Sequence, residues 1–307
     1  AKILDMIKKN EKNFFIKSIL EINGSNLDIE IVLDQSNNNQ KKTININNDN
    51  SSEARNFLNK SVSYLYFLPE MERLFQSSPS YRRNFIDRLI FSYNNNYNTL
   101  INKYKKNIIE RNKILQNYQI DTQWINYIED EISNIGLTIY ELRKIQLEIL
   151  NDNIEILSHS NDYKYKVKFQ MEDEFFTSTL TKESYMANLF DNRDFDKKFG
   201  GSKIGPHKSD IIAIINNNFN GSQLSTGQQK TIVLTCLLSQ CNYLINNKKM
   251  SPILLLDEIC SHLDVDNRKI LSDIINNFDI QLFLTGTEKT LFSFISTNVN
   301  FYNITEI

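Results

Sequence analysis

The sequence predicts an α/β fold, a parallel sheet with an inserted helical block, and three stretches carry that reading. Pro252-Ile-Leu-Leu-Leu-Asp-Glu258 is apolar throughout its strand, as in a parallel strand buried on both faces. It ends in two carboxylates, where open α/β sheets place their ligands. Gly221-Ser-Gln-Leu-Ser-Thr-Gly-Gln-Gln-Lys230 is a polar, glycine-bearing loop opening a helix, because Leu234, Leu237, Leu238, Cys241 and Leu244 form one stripe of 3.6-residue period. Exposed N–H groups at a helix N-terminus attract anions, and carboxylates at a strand end hold Mg²⁺ directly or through water. Finally, no Gly or Pro occurs from Tyr81 to Ile135, which places a helical block between two strand-rich regions.

Taken in order, Phe14 to Ile22, Leu27 to Leu33 and Lys41 to Ile46 read as an antiparallel meander, with turns at Asn23-Gly24-Ser25 and at Asn37 to Gln40. Ser61 to Leu68 reads as a more apolar strand stopped by Pro69. Ile86, Leu89, Tyr93, Tyr97, Leu100, Tyr104, Ile108 and Leu115 recur at helical steps, and Trp124 to Leu150 is a second long helix carrying Gly136. Tyr163 to Phe169 alternates, with Lys164, Lys166 and Lys168 on one face. That row either meets DNA phosphate or protects an edge strand from pairing. Five of the eight glycines fall between Gly200 and Gly227, where the chain turns tightly into the second stretch above.

Composition narrows the class. The chain has 307 residues, 40% of them hydrophobic, and a net charge of −2. Its pI of about 6.0 excludes a strongly basic nucleic-acid binder, so any DNA contact comes from local patches. The three cysteines, Cys236, Cys241 and Cys260, lack paired or metal-site spacing and read as buried thiols. The three histidines are scattered. With no membrane-length apolar run and no signal peptide visible, the expectation is a cytoplasmic protein without a membrane partner.

The motifs then point to a family. Leu224-Ser-Thr-Gly-Gln-Gln-Lys230 resembles the signature motif of ABC-type ATPases, Leu254-Leu-Leu-Asp-Glu258 their Walker B strand, and Ser261-His-Leu-Asp264 the D-loop. The doubled glutamine is similar to that of the RecF family. So are Ser78 to Leu89 (SPSYRRNFIDRL), Tyr104 to Leu115 (YKKNIIERNKIL) and Gly205 to Asp210 (GPHKSD), so the resemblance spans nearly the whole chain. It implies an ABC-type (P-loop NTPase-like) ATPase head: a first lobe over 1–68, an inserted helical domain over 69–160 and a second lobe over 161–307. It also implies ATP and Mg²⁺ as cofactors, an ATP-dependent homodimer, and DNA binding at single-strand/double-strand junctions. Partners of the RecR and RecO type, loading of RecA and support of SOS induction complete the family's role, with a slow ATPase acting as a switch. An SMC-like ATPase of other function, and a non-catalytic DNA-binding or partner-docking fragment, are the alternatives; the former calls for longer heptad arms.

The resemblance distributes roles over this chain. Asp257 would hold the metal and Glu258 orient the attacking water. Ser225 and Gly227 would meet the γ-phosphate held by the opposite subunit, Gln228 and Lys230 would add polar contacts, and Asp264 would lie at the dimer seam. Two positions depart from the ABC pattern: Glu70 stands where the Q-loop has glutamine, and Thr285 where transporters carry a switch histidine. Arg82, Arg83, Lys103, Lys105, Lys106 and Arg111 are the leading DNA candidates, with Arg82 and Arg83 alternatively bridging the lobes or touching nucleotide. None of the eight glycines is followed by Lys, so G-x-x-x-x-G-K-[ST] is absent. The family places that loop before the region matching Ala1. The expectation is therefore a truncated chain, inactive as an ATPase by itself.

Overall fold

The computed structural model describes residues 7–8, 11–22, 24–34, 41–160, 166–259, 265, 268–269, 271–272, 276, 280–295 and 299–304. They form two compact units, dividing after Ser63.

The first unit is the expected meander. β1 (Asn13–Ile22), β2 (Ser25–Asp34) and β3 (Lys41–Ile46) pair antiparallel in sequence order. The register matches Ile22 with Ser25 across a two-residue turn, and Gly24 takes the left-handed φ of +76° that such turns need. Helix α1 (Ser52–Ser61) follows. It is opened by the Ser51 hydroxyl, which accepts the Ala54 N–H at 3.1 Å. α1 occupies the start of the strand expected at 61–68, which begins instead at Tyr64.

The second unit starts with that strand, β4 (Tyr64–Phe67), because its partners lie far downstream. A 3₁₀ segment (Pro69–Gln76) leads to α2 (Pro79–Phe91), α3 (Tyr97–Gln116) and α4 (Thr122–Ser160). The expected helical block is thus real, but it breaks at 92–96 and 117–121. Then come β5 (Val167–Glu172), α5 (Lys182–Asp191), α6 (Arg193–Phe199), β6 (Asp210–Ile215), β7 (Phe219–Asn220), α7 (Thr226–Asn246), β8 (Ile253–Leu256) and β9 (Gln281–Leu284). One sheet is β4-β8-β9, parallel throughout; the other is β5-β6-β7, antiparallel. In β5, Val167 and Phe169 are buried while Lys166 before it and Lys168 within it are exposed; Lys164 lies outside the described residues.

One hydrophobic core runs through this unit, from Leu65 and Phe67 through α2, α3 and α4 to α7 and β8. The helical block therefore shares its core with the following strands. α4 runs unbroken through Gly136, where the Tyr185 ring of α5 packs so closely that a Cβ would sit 2.8 Å from it. The β4-β8-β9 sheet buries one face. Leu254 and Leu256 are inaccessible, whereas Leu255 and Phe283 are exposed, so β8 is not covered on both sides among the described residues.

The Gly205 to Asp210 stretch is the clasp between helices and second sheet. Arg143 of α4 donates to the Pro206 carbonyl at 2.5 Å and forms a two-pronged pair with Asp87 of α2 at 2.8 and 2.9 Å. His207 Nε2 lies 3.0 Å from the Ser202 carbonyl, which can only accept, so that nitrogen carries the proton. Nδ1 therefore accepts from the Tyr104 hydroxyl at 2.8 Å. Gly205, at φ +120°, lies where a Cβ would stand 2.3 Å from that hydroxyl.

Burial, only partly offset by the Ser202 bond, lowers the His207 pKa from 6.5 to about 4. The unfolded chain thus takes up a proton between those values that the fold refuses. This contribution to stability is intact above pH 6.5 and is lost as pH falls towards 4, amounting to about 3 kcal/mol. Urea unfolding at pH 7 and pH 4.5 checks it: His207→Gln is expected to lose distinctly less stability across that interval than the native chain.

Candidate functional site

The site forms at the C-terminal end of β8. β4 and β9 flank it in register, Phe67 beside Leu256 and Leu284 beside Leu256. The ladder continues one residue further: the Asp257 N–H donates to the Phe67 carbonyl at 3.1 Å, and the Thr285 N–H to the Leu256 carbonyl at 3.2 Å. This brings Thr285 level with the two carboxylates. Its hydroxyl donates to Asp257 Oδ1 at 2.5 Å and accepts the Glu258 N–H at 2.9 Å. The Thr285 side chain therefore fixes one oxygen of Asp257 and the backbone entering Glu258. Asp257 Oδ2 has no hydrogen-bond partner among the described residues.

Glu258 has φ +50°, left-handed for a residue with a side chain. Such backbone costs roughly 1–3 kcal/mol and persists only when its surroundings hold it. Thr285 grips its N–H, and Lys230 Nζ donates to its carbonyl at 3.3 Å. Lys230 also pairs with Glu72 at 2.6 Å, from the 3₁₀ segment that follows β4.

α7 begins beside this junction. Ser225 and Gln228 cap each other: Gln228 Oε1 accepts the Ser225 N–H at 2.9 Å, and Ser225 Oγ accepts the Gln228 N–H at 3.4 Å. Gly227 is exposed, and a Cβ added there would meet nothing within 4 Å. Gln229, the second of the pair, is buried. Its Oε1 accepts the Phe75 N–H at 3.3 Å and its Nε2 donates to the Leu224 carbonyl at 2.9 Å. The doubled glutamine thus divides its work, the first capping the helix and the second tying it to the 3₁₀ segment. Glu70, expected at the Q-loop position, is exposed in that segment. Sequence reasoning passed over Glu72 and Gln229; Glu72 lies two residues from Glu70 and differs only in finding a buried lysine. Asp264 and the rest of the D-loop lie outside the described residues.

The DNA candidates separate by environment. Arg111 requires correction. It is 1% exposed and donates to Glu129 at 2.8 Å, Asp196 at 2.7 Å and the Leu189 carbonyl at 2.7 Å, fastening α3 to α4, α5 and α6. No phosphate can reach it. Arg82 is likewise engaged, with both prongs on Asp210 at 2.8 and 2.6 Å. Lys103 is exposed but paired with Glu131. Lys105 and Lys106 are exposed, and Arg83 is half-buried with a 2.6 Å bond to the Ser209 carbonyl.

A parallel sheet ending in fixed carboxylates, beside a glycine loop that opens a helix, defines an ABC-type ATPase head. No protein-family model matches the chain. It is 32% identical over 295 residues to the DNA replication and repair protein RecF of Rickettsia massiliae (strain Mtu5), covering 94% of this chain and 79% of that one. The chain belongs to the RecF family. Its fold is similar to a solved structure of the recombination mediator protein RecF-ATP in the RecFOR pathway, with a TM-score of 0.80 over 94% of this chain and 78% of that one at 23% identity. A weaker likeness, TM-score 0.52 at 15% identity over 96% of this chain and 74% of the other, is to an SmcHead bound to the C-winged helix domain of ScpA. Among the described residues no helix is long and apolar enough to cross a membrane.

Removing one partner of a buried charge pair costs about 3–5 kcal/mol. Arg111→Gln is expected to lower the thermal midpoint steeply, while the fraction still folded keeps native DNA affinity. Thermal melts and fluorescence anisotropy on one preparation separate the two effects.

Proposed function

We propose that this chain is an ATP-switched DNA-binding component of RecF-type repair, acting at single-strand gaps with RecO- and RecR-type partners to load RecA and support SOS induction. The observation that carries the reading is the Thr285 hydroxyl, which joins the Asp257 carboxylate to the Glu258 backbone at the sheet edge. ATP and Mg²⁺ are the proposed cofactors. Mg²⁺ takes one or two carboxylates together with phosphates rather than an all-protein cage. Asp257, with one oxygen held by Thr285 and the other turned free of it, suits that donor set. The bound ion would neutralise phosphate charge.

The residues of the chain divide the remaining work. Glu258, exposed and held at its backbone from both sides, orients the attacking water and receives its proton. The first turn of α7 offers the Ser225 hydroxyl and the Gly227 N–H to a γ-phosphate carried by a second copy, with the helix dipole favouring the anion. Gln228 adds a polar contact, and Asp264 is assigned to the seam between copies. Glu70 and Thr285 line the same nucleotide. Hydrolysis is slow because its role is to release the ATP-dependent dimer from DNA. The nearer fold agreement with RecF-ATP than with the SmcHead supports this reading over an SMC-like one of other function.

The test uses protein that also carries a Walker A loop. Glu258→Gln is expected to retain ATP, accumulate as a dimer in light scattering, and hydrolyse ATP about 10²–10⁴-fold more slowly. Ser225→Arg, which fills the surface above Gly227, is expected to leave ATP binding intact and abolish the dimer. Unchanged turnover in the first variant and an undiminished dimer in the second would overturn the assignment.

A further inference from the structure

Between α2, α3, α4 and the Gly205 to Asp210 clasp lies a cleft of about 190 Å³. Its charged lining comprises Arg83, Lys105 and Arg143 against the single carboxylate of Asp87. That carboxylate is spent: Arg143 takes both its oxygens, and the Tyr97 hydroxyl donates to Oδ1 at 2.6 Å. Arg143 is largely spent too: four of its five N–H donors are engaged, two by Asp87, one by the Pro206 carbonyl and one by Ser209. Asp210, the next carboxylate along, is held by both prongs of Arg82.

Two positive charges are left over. Arg83 is half-buried and, among the described residues, has one hydrogen bond, to the Ser209 carbonyl, and no ion pair. A guanidinium carries five N–H donors, so most of its fork is unused. Burial, followed by the charge of Arg143, disfavours its protonated form. Lys105 stands at the mouth, exposed and without an ion pair among the described residues. Neutral donors complete the lining. Ser80 lies in the first turn of α2, and Asn84 one turn on. His207, also in the wall, is neutral and has both nitrogens engaged.

We infer that this cleft is a phosphate-binding pocket, in which the Arg83 fork and Lys105 grip one phosphoryl group with Ser80 and Asn84 completing its hydrogen bonds. Size selects the ligand: pockets for whole drug-sized molecules run to about 300–1,000 Å³, so this one takes a single tetrahedral oxyanion and not a nucleotide. A planar fork beside a point charge is the pairing that suits phosphate. The oxyanion comes either from a nucleic-acid backbone or from free phosphate. The first source rests on the DNA reading above; the pocket itself does not.

The experiment has two arms on the full chain. In the first, inorganic phosphate is titrated at constant ionic strength against chloride and thermal stability is followed. The native chain is expected to be stabilised in a saturable way, Lys105→Glu to lose the effect, Arg83→Gln to lose it too, and Lys106→Gln, one residue outside the lining, to keep it. Lys105 is exposed, so its variant tests the pocket even if Arg83→Gln folds poorly. In the second, affinity for gapped duplex DNA is measured against salt. If the backbone is the source, Lys105→Gln lowers the log–log slope by about 0.7–0.9. A phosphate response with an unchanged DNA slope assigns the pocket to free phosphate. A lowered slope without that response assigns it to the backbone alone. If neither arm distinguishes Lys105→Glu or Lys105→Gln from the native chain, the pocket is overturned. Native protein that fails to bind DNA counts against the proposed function, while the phosphate arm still decides the pocket.

Discussion

Lys230 is a buried ammonium, 2% exposed, in the first turns of the helix that the signature loop opens. Stranding such a charge costs several kcal/mol, so its position is tenable only while two acceptors stay in place. These are the Glu72 carboxylate and the Glu258 carbonyl. The first belongs to the segment leaving β4 and the second to the turn leaving β8. One ammonium therefore ties the signature helix, the Q-loop-like segment and the Walker B end into a single piece. Gln229 repeats the tie one residue earlier through the Phe75 N–H. The left-handed backbone of Glu258 is held by the same junction. The exposed groups assigned to nucleotide stand on a frame whose fixed points are buried and polar.

How much of this could be read from the residues follows from how far each interaction reaches along the chain. The meander, the helical block and the helix after the signature loop depend on period and turn chemistry, which are local, and all three are present. α1 was missed because Ser51, its cap, is followed by a polar stretch without a buried residue, so no apolar stripe announces it. The expectation that β8 is buried on both faces failed for a related reason. An apolar run shows that residues can be buried, and Leu255, 38% exposed, shows that this side is covered only in part. Asp257 and Glu258 were recognised by a motif. Thr285, which organises them, was picked out by its place in the family's pattern, and its hydroxyl chemistry emerged only with the sheet register.

The cations of the helical block show the limit most clearly. Arg82, Arg83, Lys103, Lys105, Lys106 and Arg111 share a charge and a helical context. Their fates are set by residues 18 to 128 positions away: Glu129 for Arg111, Asp210 for Arg82. Tertiary pairing converts two of the six into fasteners and leaves the rest nearer to solvent. A sequence count of basic residues therefore overstates the electrostatic surface. A net charge of −2 coexists with a cleft whose lining carries an unbalanced positive charge.

Three glycines separate what the fold demands from what the fold leaves unexplained. At Gly136 a side chain would strike the Tyr185 ring, and at Gly205 it would strike two tyrosine hydroxyls, so internal packing accounts for both. Gly227 is different. It lies in the first turn of α7, has no left-handed φ, and a Cβ there would stand in open space. Glycine in a helix costs about 1 kcal/mol relative to alanine, and no contact described within this chain returns that energy. A residue that weakens its own helix without relieving a clash is best explained by something outside the chain approaching its backbone closely. A γ-phosphate held by a second copy would impose that condition, which supports the nucleotide contact proposed at Gly227 over one at the better-packed glycines before it.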